Sequence, residues 1–351
     1  VIDELDLALV DALRVDPRAP WSKLAGPLGV DPATLSRRWA RLTADGDAWV
    51  TCYPSAERMG VGLTALVAVD CRADAVASVT ATLAADPQTP TVEVVTGETD
   101  LMITVAALEP DQVTAYVLDR VGAVPGVLRT RTAFVERTLR EGSRWREGAL
   151  DPSQREAIGT GLAASPDPGP TRGGALRRAL DDRTLMQALG ADGRMPFAEL
   201  ATRTGLPATT VRRHVEELRR TGRLVLRCDA SPRLNGHVVG TWLWVDIPAR
   251  ELDAATRWLV DLPAVRMCGV VAGAPANVVV NVMTHQAADA RRIEAQLGVR
   301  FPSARVTGRQ VILRTEKLVG HLLDREGRAR GYVPLDPWQD APADSASPYG
   351  R

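Results

Sequence analysis

The sequence predicts an α+β protein in which two winged/helix-turn-helix units alternate with two ferredoxin-like βαββαβ units. Three observations predict it. The chain repeats itself without a gap at a spacing of 176 residues, each repeat opens with helical periodicity, and each then changes to a period-two, β-branched pattern.

The repeat aligns Asp6 with Asp182, Leu9 with Leu185, Leu13 with Leu189, Asp16 with Asp192 and Arg18 with Arg194. It continues through Leu24 and Leu200, Gly29 and Gly205, Thr34 and Thr210, Arg37 and Arg213, Leu42 and Leu218, and Gly46 and Gly222. A period this long is a whole module rather than a solenoid unit. The expected boundaries are 1–55 and 176–231 for the helical heads, and 56–141 and 232–323 for the βαββαβ domains. A Pro/Gly-rich linker is expected over 142–175 and a polar tail over 324–351.

In the first head, Leu5, Leu9, Val10 and Leu13 recur at helical spacing. A break at Asp16-Pro17-Arg18 precedes a short second helix over 21–28, with Leu24, Ala25 and Leu28 inward. Gly29 stands where a tight turn needs positive φ, and Asp31-Pro32 supplies an N-cap and a first-turn proline. The third helix buries Leu35, Trp39 and Leu42 and ends at Asp45-Gly46, which leaves Thr34, Ser36, Arg37, Arg38 and Arg41 outside or on its flanks. This is the form of a recognition helix. In the second copy Val211, Val215 and Leu218 point inward, and Thr209, Thr210, Arg212, Arg213 and His214 are expected to face DNA.

The βαββαβ region of the first copy reads as strands over 64–70, 91–96, 101–107 and 127–138, with helices over 73–85 and 111–121. The second copy gives strands near 238–246, 265–272, 277–283 and 304–315, and helices near 249–261 and 286–297. The loop glycine Gly97 recurs as Gly273.

With 351 residues and 45% hydrophobic content, the chain can fill several cores. Its formal net charge is zero, yet residues 194–233 hold nine arginines against four acidic residues, and residues 18–58 carry a smaller excess of two positive charges. The second head is therefore expected to hold phosphates more strongly. Neither an eighteen-residue apolar run nor the basic-then-apolar order of a signal peptide is found, so a soluble cytoplasmic protein without membrane contact is expected. Cys52, Cys71, Cys228 and Cys268 lack metal-ligand spacing and read as reduced, buried thiols, with no metal or cofactor expected.

A helix-turn-helix followed by βαββαβ resembles the Lrp/AsnC, or feast-famine, regulators. The residues carrying the resemblance are Ile2, Asp3, Asp6, Leu9, Val10 and Leu13, then Arg18, Leu24, Ala25 and Val30, then Thr34, Leu35, Arg37, Arg38, Leu42 and Gly46. It covers about 300 residues, leaving out the linker and tail. The resemblance implies a non-enzymatic DNA-binding regulator that pairs through its α+β domains and responds to an amino acid or related effector. The effector loop would be Gly97 to Asp100, where glycine admits close approach and the Asp100 carboxylate could take an ammonium group. In the second copy the loop keeps Gly273 but has Asn277 and no acid, and His214 replaces the first copy's Arg38.

Two fused copies are expected to form within one chain the dimer that family members build from two, joined by a flexible linker and reading an imperfect palindrome in double-stranded DNA. Higher homo-oligomers through the α+β domains are also expected. Two rival readings keep the fold. One is a siroheme-decarboxylase-like enzyme, since those proteins resemble the same family; the other is an effector sensor with vestigial heads.

Overall fold

The computed structural model describes residues 2–55, 62–145, 148–160, 172–234 and 239–337. They gather by type of domain rather than by copy. One unit holds residues 1–61, 142–237 and 321–334; the other holds 62–141, 238–320 and 335–351.

The first unit contains both heads. In copy one, α1 (Glu4–Val15), α2 (Trp21–Leu28) and α3 (Pro32–Asp45) lead into β1 (Ala48–Pro54). Local chemistry sets these limits. Asp3 and Asp6 form a reciprocal capping box on α1, Gly29 turns the chain at φ 67°, and Asp31 caps α3 ahead of Pro32. Copy two supplies α7 (Arg172–Ala191), α8 (Phe197–Thr204), α9 (Ala208–Arg220) and β6 (Leu224–Ala230), with Val211, Val215 and Leu218 buried. Leu9, Leu13, Leu24, Leu35 and Leu42 are fully buried in the core of this unit.

The two heads share an antiparallel ribbon of β1 and β6, in register from Ala48 opposite Ala230 to Pro54 opposite Leu224. Thr51 lies opposite Arg227, its own counterpart in the repeat, so a pseudo-two-fold passes through that pair. The same symmetry appears in two arginines. Arg18 donates to the carbonyls of Gly193 and Met195 at 2.6 and 3.0 Å, and Arg194 donates to those of Pro17 and Ala19 at 2.8 and 2.9 Å.

The expected flexible linker is corrected where the segment is described. Helix α6 (Pro152–Gly159) lies within it, and Leu150 and Ile158 are buried in the head core. Leu150 N donates to Asp11 Oδ2 at 3.2 Å, and Gln154 Nε2 to the Pro27 carbonyl at 2.8 Å. Two apolar anchors, Leu150 and Ile158, were too sparse to register as a periodic pattern. The helix α7 also starts before the expected boundary at 176. Residues 161–171 of the linker lie outside the described residues.

The expected polar tail is likewise corrected over its first part. Strands β11 (His321–Leu323) and β12 (Ala329–Tyr332) pair as a hairpin, and Ala329 N donates to the Gly46 carbonyl. The end of the tail, 338–351, lies outside the described residues.

The second unit contains both βαββαβ domains. Copy one runs β2 (Leu63–Cys71), α4 (Val76–Ala84), β3 (Thr91–Val95), β4 (Leu101–Ala107), α5 (Pro110–Ala115) and β5 (Val127–Arg140). The single helix expected over 111–121 divides, because a π-helical turn over Tyr116–Val121 follows α5 and lets Tyr116 donate to Asp86. Copy two runs β7 (Val239–Asp246), α10 (Ala249–Asp261), β8 (Val265–Ala272), β9 (Val278–Thr284), α11 (Ala290–Arg300) and β10 (Arg305–Leu318).

Each copy orders its strands as a ferredoxin-like sheet, and the two sheets join edge to edge. The order β10-β3-β4-β2-β5-β8-β9-β7 closes on itself because β7 pairs with β10. The seams β5–β8 and β3–β10 are equivalent under the repeat, and both join one copy to the other. Closure gives each of these eight strands a partner on both sides. Leu66, Met102, Trp242, Val271 and Val279 fill the interior, together with buried Glu93, which accepts from Trp242 Nε1 at 2.7 Å. Burial holds the Glu93 carboxyl above the usual carboxylate range.

Candidate nucleic-acid interface and effector cavity

The outer face of α3 separates into two groups. Arg37 is exposed, and its Nη2 donates to Thr34 Oγ1 at 3.2 Å. Thr34 in turn donates to the capping Asp31 at 2.6 Å, and Ser36 is half-buried beside it. Arg38 and Arg41 turn back to α1. Arg38 Nη1 donates to Asp3 and Asp6 at 2.7 and 3.0 Å, and Arg41 Nη2 donates to Asp6 at 2.7 Å. Asp6 is fully buried, so these arginines neutralise a charge that cannot stay alone in the core. Their expected use as free DNA contacts is corrected on that ground.

The second head divides in the same way. Thr209, Arg212 and Arg213 are exposed on α9, and Thr210 is half-buried. Arg212 lies 4.9 Å from the Phe197 ring centroid, over its face. His214, also expected to face DNA, instead holds buried Asp182 through Nε2 at 2.5 Å. Sequence reasoning missed Arg18 and Arg194 as the residues that lock the heads together. Their alignment in the repeat was the available signal, but their acceptors are backbone carbonyls some 175 residues away.

A cavity of about 330 Å³ is lined by residues of β2, β4, β5, β7 and β10 and of the loops that follow β3 and β8. Leu66, Met102 and Trp244 give it apolar walls, and Glu98, Arg131 and Gln310 add polar groups. Arg131 is braced by both oxygens of Asp70 at 2.8 and 3.0 Å, and Trp244 Nε1 donates to Gln310 at 2.9 Å. Of the three expected effector residues, only Gly273 lines this cavity. It has φ 92°, and an added Cβ would stand 2.8 Å from the Thr132 carbonyl oxygen. Gly97 has φ 102° and lies in the matching loop of copy one. Asp100 is corrected: its Oδ2 accepts from Cys71 N at 2.7 Å, which commits the carboxylate to closing the end of β2.

All four cysteines are unpaired and buried. Among the described residues no group of three or more His, Cys, Asp or Glu side chains could hold a metal ion, and no helix is long and apolar enough to cross a membrane. His285 is exposed in the barrel unit, whereas His214 and His321 belong to the head unit. His237 lies outside the described residues.

Comparison with known proteins adds three findings. The model of the AsnC-type helix-turn-helix domain matches residues 2–43 and 181–219, and that of the Lrp/AsnC ligand binding domain matches residues 64–145. The HTH-type transcriptional regulator LrpA of Mycobacterium tuberculosis is 33% identical over 144 residues, which are 39% of this chain and 92% of that protein. The regulator FL11 of Pyrococcus horikoshii is 26% identical over 40% of this chain and 93% of its own length. Among solved structures, the siroheme decarboxylase NirDL aligns over 90% of this chain and 93% of its own with a TM-score of 0.56, at 13% identity. That likeness shows a shared fold.

Proposed function

This chain belongs to the Lrp/AsnC family, and we propose that it is a transcriptional regulator carrying a complete pair of heads and a complete effector barrel in one polypeptide. Relatives such as LrpA and FL11 are covered almost whole by about two-fifths of this chain, as expected if each corresponds to one module. The observation that carries the reading is the pair of outward faces. Thr34 and Arg37 on α3, and Thr209, Arg212 and Arg213 on α9, remain exposed or half-exposed after the neighbouring Arg38, Arg41 and His214 have been committed inside the heads.

Two such helices related by a pseudo-two-fold read two half-sites of opposite direction, and because their residues differ the operator is an imperfect palindrome. An arginine bidentate to guanine contributes roughly 1–3 kcal/mol of discrimination, or about ten- to a hundredfold. Footprinting on DNA selected from a random pool tests this. Arg37→Ala should clear protection from one half-site and Arg213→Ala from the other; unchanged protection at both removes the assignment.

The barrel cavity is the proposed effector site. It is large enough for an amino acid or a derivative, offers both an acidic and a basic group in Glu98 and Arg131, and has Trp244 in its wall as an intrinsic reporter. Titrating the full chain with individual amino acids should change Trp244 fluorescence for the effector and leave a Trp244→Phe variant silent. The decarboxylase reading rests on fold likeness alone. A visible absorption change on adding a tetrapyrrole, with no DNA retained, would decide in its favour.

A further inference from the structure

The heads hold their recognition helices by different chemistry. In the first, two arginines of α3 clamp Asp3 and Asp6. Under the 176-residue repeat Asp3 becomes Ala179, Asp6 becomes Asp182, Arg38 becomes His214 and Arg41 becomes Glu217. The second head therefore keeps the buried acid but replaces one arginine by an imidazole and the other by a carboxylate. There His214 Nε2 meets Asp182 Oδ1.

Around it lies a cavity of about 320 Å³ bounded by α7, α8 and α9, which gives the half-exposed His214 ring contact with solvent. The charged groups facing the ring are Asp182 from α7, Arg213 and Glu217 from α9, and Arg223 from the turn before β6. Arg223 also pairs with Glu217 at 3.5 Å. From α8 and the turn after it come only the uncharged Thr204 and Leu206.

Arginine keeps its charge throughout the working pH range, whereas histidine does not. We infer that His214 is the positioning residue of the second recognition helix, and that protonation of its ring governs how firmly that helix, and not its counterpart, is held for DNA. The part of this inference that concerns DNA rests on the regulator reading; the part that concerns the helix does not. The hydrogen bond to Asp182 holds the His214 pKa above the ordinary imidazole value, against the opposing effect of burial. A raised folded value means that the pair contributes fully below about 6.5 and fades as pH rises through the folded pKa.

The test uses the full chain at pH 6 and pH 8.5, with wild type, His214→Arg and His214→Gln compared. Amide hydrogen exchange, corrected for its intrinsic pH dependence, reports the hold on α9 relative to α3, and footprints on selected DNA report the two half-sites. In wild type, α9 should exchange roughly two- to fivefold faster relative to α3 at the higher pH, the range a half-exposed ion pair supplies. Protection of the second half-site should weaken by a similar factor. His214→Arg should remove the pH dependence of both readouts, and His214→Gln should be loose at both pH values. The inference is overturned if α9 and α3 respond alike in wild type, or if the response survives in His214→Arg. Should no DNA be protected at either pH while exchange behaves as expected, the regulator reading fails and the role of His214 in holding the helix stands.

Discussion

Arg37 and Arg38 are adjacent on α3, yet one is exposed and the other clamps a buried acid. Helical periodicity shows which residues leave the core, and it placed both outside correctly. It does not show what a flexible arginine then reaches. Asp6 stands 32 residues before Arg38, and its identity as the partner depends on how α1 packs on α3. The two substitutions should therefore separate. Arg37→Ala should lower DNA affinity at unchanged stability. Arg38→Met should cost about 1–2 kcal/mol in urea denaturation, since buried Asp6 would lose one of its two arginine partners and keep only Arg41 and the Asp3 amide; equal stabilities of the two variants would contradict the division. His321 permits a second check. It is buried between Trp49 and Tyr332 with Nε2 at 3.1 Å from the Gly190 carbonyl, and burial pushes its pKa down to about 4. Between pH 6.5 and 4 the unfolded chain takes up a proton that the folded chain refuses, so stability falls with pH by up to about 1.4 kcal/mol per unit. Stability measured against pH should lose this component in His321→Gln.

Helix limits in the first head were legible because caps and turns are local: Asp31, Pro32 and Gly46 mark the ends of α3 within the helix's own neighbourhood. The ribbon of β1 with β6 and the hairpin of β11 with β12 were not, because pairing partners of strands are set by distant sequence. Gly46 belongs to both kinds of information. It ends α3 at φ 73°, and an added Cβ would stand 2.3 Å from the Ala329 backbone oxygen of the hairpin. Gly29 has nearly the same φ, 67°, with nothing within 4 Å of that position. Gly29→Ala should therefore cost only the left-handed backbone penalty, about 1 kcal/mol, while Gly46→Ala should cost at least about 2 kcal/mol more by displacing the hairpin. Denaturation midpoints compare them directly, and equal losses would mean that the hairpin does not press on this turn.

At the scale of the molecule, the repeat revealed two modules but not that each supplies the other's missing edges. The strands β3 and β5 of copy one are hydrogen-bonded to β10 and β8 of copy two, and β1 is hydrogen-bonded to β6. Residues 1–160 expressed alone would expose all three edges, together with the Arg18 guanidinium that normally reaches the Gly193 and Met195 carbonyls. Exposed strand edges seek partners. A second copy of the same fragment can supply them, because the seams obey a pseudo-two-fold and residues 17 and 19 offer carbonyls where 193 and 195 did. The fragment should therefore run as a dimer in light scattering, and Arg18→Met should weaken that dimer. A folded, monomeric fragment would mean that the inter-copy strand pairs are not what holds the modules together.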